Sequence, residues 1–375
     1  MKTFSSVRVC IVTESFLPQI NGVTNSVLRL LEYLKGNGHK VLVVAPSNSV
    51  DEYLGFPIVK MPSVHLKRFG DIRVALPINR VIDQIFDFQP DVIHLASPAL
   101  MGYLVAKRAN LRNVPSIGVF QTDLAGFAEH YGLGLSKNAI WNWVSRIHRI
   151  VDRTLAPSSQ SCKDLESLSV TNVYLWKRGV DIELFTPEKR IYEVMNTGKR
   201  RVGYVGRLAN EKRLSDLTAI SKRTDIELIV VGDGPARAEL EQILPEANFK
   251  GFLKGEELAR IYANLDCFIH TGPNETFCQS VQEALASGIP TIAVDKGGPK
   301  DLIINGINGF LTDTSDGSKL NNALDRILHP SCWQNFSIAA RESVVNRSWN
   351  VIMDELMIHY KSVISNRKSI QEVIA

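Results

Sequence analysis

Short apolar runs alternate along this chain with segments whose apolar residues recur every three or four positions. Val7-Arg8-Val9-Cys10-Ile11-Val12 reads as a buried strand, residues 22–36 as an amphipathic helix, and Val41-Leu42-Val43-Val44-Ala45 as a second strand, which together make a βαβ start. Further strand-like runs follow at Val92-Ile93-His94-Leu95, Ser116-Ile117-Gly118-Val119-Phe120 and Arg153-Thr154-Leu155-Ala156-Pro157, with helical patterns at about 78–87, 99–112 and 136–151. The alternation begins again at Arg201-Val202-Gly203-Tyr204-Val205-Gly206. It continues through strands at Glu227-Leu228-Ile229-Val230-Val231, Asn248-Phe249-Lys250, Cys267-Phe268-Ile269-His270, Thr291-Ile292-Ala293-Val294 and Gly309-Phe310-Leu311, each with a helix expected after it. Strands alternating with helices imply mainly parallel sheets covered on both faces. The expected fold is α/β, with two doubly wound, Rossmann-like domains. Their boundaries are expected at residues 1–180 and 181–346, followed by a C-terminal amphipathic helix at 347–375.

Length supports two domains, because 375 residues is about two and a half typical domain lengths. With 45% hydrophobic and 22% charged residues, the chain has enough apolar surface for real cores and is not intrinsically disordered. No apolar run approaches the roughly 18–20 residues of a spanning helix, and the first residues lack a signal-peptide profile, so a cytoplasmic location is expected. The five cysteines are scattered and never spaced C-x-x-C, which supports neither a disulfide framework nor a structural zinc site. Charge is divided unevenly: 20 Lys and Arg face 13 Asp and Glu through residue 180, a net +7, whereas the rest carries 23 against 26, a net −3. A basic first half suits an anionic partner or simply a solvated surface.

In doubly wound sheets ligands sit beyond the carboxyl ends of the strands, so the loops there hold the candidate chemistry, and two such domains face to face would enclose a cleft. Glu14-Ser15-Phe16-Leu17-Pro18-Gln19-Ile20-Asn21-Gly22-Val23-Thr24 leaves the first strand and ends at a helix start. There Gly22 either lets backbone N–H groups approach a phosphate or merely forms a turn. Gly206-Arg207-Leu208-Ala209-Asn210-Glu211-Lys212-Arg213 places Arg207 and Lys212 just past a strand end, as two cations suited to a diphosphate or as a solvated basic loop. Gly232-Asp233-Gly234-Pro235 is a turn that admits a ligand close to the backbone, although D-G-P turns are common.

The most specific stretch runs from Gly272-Pro273-Asn274-Glu275-Thr276-Phe277-Cys278 to Glu283. Glu275 and Glu283 are eight residues apart, a little over two helical turns, so two carboxylates at that spacing would meet an extended ligand at two points. Carboxylates suit sugar hydroxyls because they only accept hydrogen bonds and offer two oxygens to a vicinal diol. Asp295-Lys296-Gly297-Gly298-Pro299 supplies one more Gly-rich strand end.

Gly22, Gly206-Arg207-x4-Lys212, Gly232-Asp233-Gly234, Glu275-x7-Glu283 and the closing Ser348-Trp349 helix, in that order, resemble the retaining glycosyltransferases of family four, which adopt the GT-B fold. The resemblance spans essentially the whole chain. It implies an N-terminal acceptor domain, a C-terminal nucleotide-sugar domain, and a last helix that crosses back to the first domain. It also implies transfer of a sugar from a nucleotide diphosphate with retention of configuration, usually with no bound metal and no cofactor beyond the donor. Carried onto matching positions, Arg207 and Lys212 hold the diphosphate, Glu275 the hexose and Glu283 the ribose. Gly22, Asp233, Gly234, Thr276, Phe277 and Cys278 complete the donor site.

Phe120-Gln121-Thr122-Asp123-Leu124-Ala125-Gly126-Phe127-Ala128-Glu129-His130-Tyr131-Gly132, Trp176-Lys177-Arg178-Gly179-Val180-Asp181 and Asn274-Glu275-Thr276-Phe277-Cys278-Gln279 are similar to the actinobacterial GDP-mannose-dependent α-mannosyltransferases that act on lipid acceptors. Many relatives carry His where Gln121 stands. Gln cannot titrate, so hydrogen bonding to the donor sugar is what Gln121 retains, and Asp123 or His130 enters as a further catalytic candidate. The resemblance therefore implies mannosyl transfer from GDP-mannose to a glycolipid or phospholipid-linked acceptor by same-face attack. A covalent enzyme intermediate is the other route to retention. A UDP-sugar-dependent glucosyl- or N-acetylglucosaminyltransferase is the alternative donor reading, and a non-catalytic nucleotide-sugar-binding protein the alternative class. No nucleic-acid module is visible. His65-Leu66-Lys67-Arg68-Phe69 and Lys107-Arg108-Ala109-Asn110-Leu111-Arg112 combine cations with apolar side chains, as contact with an anionic membrane surface requires, or as a solvated face allows.

Overall fold

The computed structural model describes residues 6–66, 72–75, 78–121, 137–191 and 198–374. It divides into two compact units, residues 1–177 with 352–375 and residues 178–351. The strands of the first unit, in chain order, are β1 (Arg8–Thr13), β2 (Lys40–Pro46), β3 (Glu52–Tyr53), β4 (Phe56–Met61), β5 (Ser63–Leu66), β6 (Ile72–Ala75), β7 (Val92–Ala96), β8 (Ser116–Val119), β9 (Arg153–Ala156) and β10 (Val173–Leu175). All but β5 and β6 form one sheet in the order β10-β9-β8-β7-β1-β2-β4-β3. Its pairings are parallel except the short β3–β4 hairpin, while β5 and β6 make a separate antiparallel pair. The region from β3 to β6 escapes the periodicity reading because its strands are short and are interrupted by Gly55, Pro57 and Pro62.

Runs such as Val9-Cys10-Ile11-Val12 are buried throughout, which is why they read as continuous apolar strands rather than alternating ones. Helix Gly22–Gly36 follows β1. The Asn21 side chain caps it by accepting from the Thr24 N–H, and it buries Val27, Leu30, Leu31 and Leu34 on one face.

The last helix is Trp349–Ile374, and from Ile352 onward it belongs to the first unit. Met353, Leu356, Met357, Tyr360 and Val363 are buried at helical spacing. Polar contacts fix its register: Trp176 Nε1 donates to the Ile352 carbonyl at 3.0 Å, Arg367 Nε pairs with Asp152 at 2.6 Å, and the Tyr360 hydroxyl meets His94 Nδ1 at 2.8 Å inside the core.

The second unit carries β11 (Arg200–Val205), β12 (Ile226–Val231), β13 (Asn248–Gly251), β14 (Cys267–His270), β15 (Thr291–Val294) and β16 (Gly309–Thr312), all parallel, in the order β13-β12-β11-β14-β15-β16. Alternating side chains feed two cores: Cys267 and Ile269 pack with Leu320, Leu324 and Phe336, whereas Phe268 packs with Tyr262, Val281 and Leu285. After β11 and β15 the chain makes 3₁₀ turns, Asn210–Lys212 with Leu214–Leu217, and Gly298–Asp301, where full helices were expected. Each large sheet reverses its winding once, between β1 and β7 in the first unit and between β11 and β14 in the second. Those reversals leave crevices at the strand carboxyl ends.

Among the described residues no helix is long and apolar enough to cross a membrane. Tyr360→Phe would remove the hydroxyl that meets His94 Nδ1 inside the core. It should lower unfolding free energy by about 1–3 kcal/mol in denaturant titration.

Candidate active site

The crevice of the second unit is built by the loops after β11 and β14. Lys212 ends the first 3₁₀ turn after β11. Its backbone carbonyl accepts from Thr271 Oγ1 at 2.6 Å, so the two loops are tied at their roots. Lys212 Nζ lies 2.5 Å from Glu275 Oε1, and His270 Nε2, at the end of β14, lies 3.2 Å from the same oxygen. The Tyr204 ring of β11 stacks on His270 with 6.1 Å between centroids, and its hydroxyl donates to the Arg207 carbonyl at 3.2 Å. One carboxylate oxygen thus gathers two cationic partners from two different strand ends.

Electrostatics follow from that geometry. Burial alone would raise the Glu275 carboxyl, but Lys212 and His270 outweigh it and hold the group at about 2. Burial likewise opposes charge on His270, yet Cys278 and Glu275 push its imidazole up to about 10, and Glu275 raises Lys212 against the same desolvation. Glu275 is therefore ionised at every physiological pH, with its charge compensated from within the protein.

Glu283 is a different kind of carboxylate. It sits on helix Gln279–Ala286, where burial lifts it to about 7, and the Tyr262 hydroxyl, 3.3 Å away, only partly offsets that. Glu275 itself lies in the loop before this helix. The eight-residue spacing is therefore not two turns of one helix but a loop residue followed by a residue in the helix's second turn. The turn to helical geometry is made at Cys278, whose backbone is left-handed at φ 82° and which supplies no side-chain cap. No Cys278 side chain therefore caps the first-turn N–H groups. Phe277 and Cys278 bury their side chains, while Thr276 lies between them and Glu275 in the same loop.

The glycines of these loops make close backbone contacts. A Cβ on Gly232 would fall 1.9 Å from the Gly206 carbonyl oxygen, and one on Gly234 would fall 2.3 Å from that of Leu208. Leu208 N–H donates to the Asp233 carbonyl at 3.0 Å. Gly232-Asp233-Gly234 therefore presses the β12 loop against the Arg207 loop. Its Asp233 side chain is exposed, accepting from the Gly234 N–H at 2.7 Å. Gly297 and Gly298 act in the same way: the Gly298 N–H donates to the Glu275 carbonyl at 2.8 Å, and a Cβ on Gly298 would collide with Phe277. Arg207, with its side chain half exposed, reaches Glu211 at 3.9 Å.

In the first unit Gly22 opens helix Gly22–Gly36, and a Cβ there would meet nothing within 4 Å. The neighbouring crevice wall is already occupied. Glu14 Oε1 accepts from the Ala99 N–H at 2.8 Å and from that of Gly102 at 3.4 Å, so a carboxylate of the protein fills the start of helix Leu100–Leu111. Gln121 lies just past β8, partly exposed. Asp123 and His130 fall outside the described residues, as do the side chains of 65–69. His270, Tyr204, Tyr262 and Glu14 were not picked out as site residues by sequence. For His270 the signal available was a polar residue closing an apolar strand beside the winding reversal.

Glu283 binds its proton more tightly in the folded chain than in the unfolded one, so it costs stability as pH rises from about 4.5 to about 7. Glu283→Gln removes that cost. The variant should be more stable than the parent by about 1–3 kcal/mol at pH 8, with the gain shrinking to nothing by pH 4.5, as read by denaturant titration at each pH.

Two family models together match residues 20–342 of this chain, save residue 185. "Glycosyltransferase Family 4" matches residues 20–184, and "Glycosyl transferases group 1" matches residues 186–342. The chain is 43% identical, over 97% of its own length and 91% of the other's, to a protein of Corynebacterium glutamicum named GDP-mannose-dependent alpha-mannosyltransferase. It is 24% identical, over 76% of its length and 79% of the other's, to the Mycobacterium tuberculosis GDP-mannose-dependent alpha-(1-6)-phosphatidylinositol dimannoside mannosyltransferase. In fold it resembles Anabaena Alr3699/HepE, solved in complex with UDP, with a TM-score of 0.78 at 18% identity over 95% of this chain and 100% of that one. The two doubly wound sheets, the charged crevice after β11 and β14, and these likenesses agree: the chain belongs to the GT-B glycosyltransferases, with a family 4 region followed by a group 1 region.

Proposed function

We propose that this protein transfers mannose from GDP-mannose to a lipid-borne acceptor, with retention of anomeric configuration. The observation that carries the reading is the contact between Lys212 Nζ and Glu275 Oε1. A cation suited to phosphate and a carboxylate suited to sugar hydroxyls stand side by side, the arrangement a hexose joined directly to a phosphate requires. In the free protein the two groups neutralise each other. With the donor bound, Lys212 turns to the diphosphate, and Glu275 accepts hydrogen bonds from the hexose. Arg207, half exposed beside the same loop, adds its planar fork to the diphosphate.

Breaking the sugar–phosphate bond leaves positive charge on the ring and negative charge on the departing diphosphate. Cations fixed at the leaving group therefore stabilise the transition state more than the ground state. The uncapped start of helix Gln279–Ala286 adds backbone N–H groups to that stabilisation, and Glu283 takes the ribose diol. Gln121 serves the donor sugar as a neutral hydrogen-bonding group. Gly22 offers open backbone at the start of its helix, and Asp123 remains an assignment by resemblance. The acceptor attacks from the face the phosphate leaves, the leaving phosphate taking its proton, so no protein nucleophile is invoked. No metal is assigned to this reaction.

The name of the 43% identical relative supports GDP-mannose as the donor, and that of the phosphatidylinositol dimannoside enzyme supports a lipid acceptor. Helix Leu100–Leu111 exposes Leu111 next to Lys107 and Arg112, a combination suited to the surface of an anionic membrane. On this reading the protein works in the cytoplasm, peripherally at a membrane. Thermal unfolding with GDP, GDP-mannose, UDP and UDP-glucose tests the donor, because a ligand bound only by the native state raises the melting temperature. The guanosine compounds should raise it and the uridine compounds should not. Selective stabilisation by the uridine compounds overturns the donor assignment.

A further inference from the structure

The proposed transfer uses Glu275 and Lys212 but gives no role to the His270 ring or the Cys278 thiol, which stand against the same carboxylate. One donor atom from each of His270, Glu275 and Cys278 lies within 4.8 Å of the others. His270 Nε2 and Glu275 Oε1 are 3.2 Å apart, about the separation that two nitrogen and oxygen ligands have on a single tetrahedral zinc ion. The cluster has the environment of a binding site rather than of a surface. His270 is 2% exposed and Cys278 4%. Glu275 and Lys212 keep about a fifth of their side chains exposed, 19% and 21%, which leaves a way in for a small ion. Imidazole, carboxylate and thiolate together are a zinc-type donor set rather than one for magnesium or calcium.

We propose that His270, Glu275 and Cys278 form a binding site for Zn²⁺, with water as the fourth ligand, and that its occupation closes the sugar end of the donor site. Zinc takes imidazole and thiolate as ligands, so any proton on either is released on binding, and the ion takes Glu275 Oε1 from Lys212. The displaced ammonium and the incoming ion compete for one carboxylate. Zinc and the free-state ion pair are therefore mutually exclusive. The ion acts here as an inhibitor from outside the reaction, not as part of it. The metal site stands on the geometry of the second unit alone, whereas its effect on the donor rests on the assignment of Glu275 to the hexose.

The test is zinc affinity of the full chain, measured by competition with a chromogenic chelator and using zinc alone as the probe. Co²⁺ substitution provides a spectroscopic check. One Zn²⁺ per chain is expected, and Cys278→Ser should weaken it about tenfold or more through loss of the soft thiolate ligand. Cys332→Ser, which alters a partly exposed thiol of the same unit outside this cluster, should leave it unchanged. Lys212→Met should tighten zinc binding by removing the competing cation. The parent with Co²⁺ should show a thiolate charge-transfer band that Cys278→Ser lacks. Unchanged zinc affinity and an unchanged cobalt spectrum in Cys278→Ser would overturn the site. Zinc bound through Cys278 without loss of the GDP-mannose thermal shift would overturn its effect on the donor. Because chelator competition and the cobalt spectrum need no donor, failure of the transferase reading would be visible separately.

Discussion

A carboxylate withdrawn from water must be compensated, and in this protein the compensation of Glu275 ties the second unit's loops together. The nearest charges come from Lys212, carried by the loop after β11, and His270, the last residue of β14. Neither could reach the carboxylate unless the sheet reversed its winding between those two strands, because only there do their carboxyl ends lie side by side with a crevice between their loops. The ion trio is thus a consequence of topology. It is also a constraint on the loops, since a buried charge left without partners would cost several kcal/mol.

The surrounding backbone serves that constraint. Gly232 and Gly234 let the β12 loop press on the Gly206–Leu208 backbone, and Gly297 and Gly298 let the β15 loop press on residues 275–277. Four strand-end loops, after β11, β12, β14 and β15, therefore meet at contact distance, with side chains excluded from the points of closest approach. A site held in this way is organised before any ligand arrives, which is what electrostatic stabilisation of a leaving diphosphate requires. Glu14 plays a comparable part in the first unit by filling the start of helix Leu100–Leu111 with a carboxylate of the protein.

Much of this was legible in the sequence, and the parts that were not share a physical reason. Strands such as Val9-Cys10-Ile11-Val12 and helix Gly22–Gly36 announce themselves through local periodicity, and both sheets follow from their alternation. Glu275, Glu283, Arg207 and Lys212 stand out because ligands of doubly wound sheets gather at strand ends, where charged side chains beside glycines can reach them. His270 does not stand out, because within Cys267-Phe268-Ile269-His270 it looks like any buried core histidine. Its importance arises only when β14 meets a loop 58 residues upstream in sequence. Tyr262, which meets Glu283 from 21 residues away, is hidden for the same reason. The glycines were legible as special positions but their backbone contacts were not, since a left-handed turn, a ligand contact and a backbone contact all ask for the same residue.

On the proposed function, the carboxylate that Lys212 and His270 hold ionised is the group that recognises the transferred sugar. Calorimetric titration of the parent and Glu275→Gln with GDP-mannose and with GDP tests this most directly. In the parent GDP-mannose should bind with a sugar contribution that GDP lacks. In a folded Glu275→Gln variant that difference should vanish while GDP affinity stays within a few-fold. A variant that still distinguishes GDP-mannose from GDP as the parent does would contradict the claim.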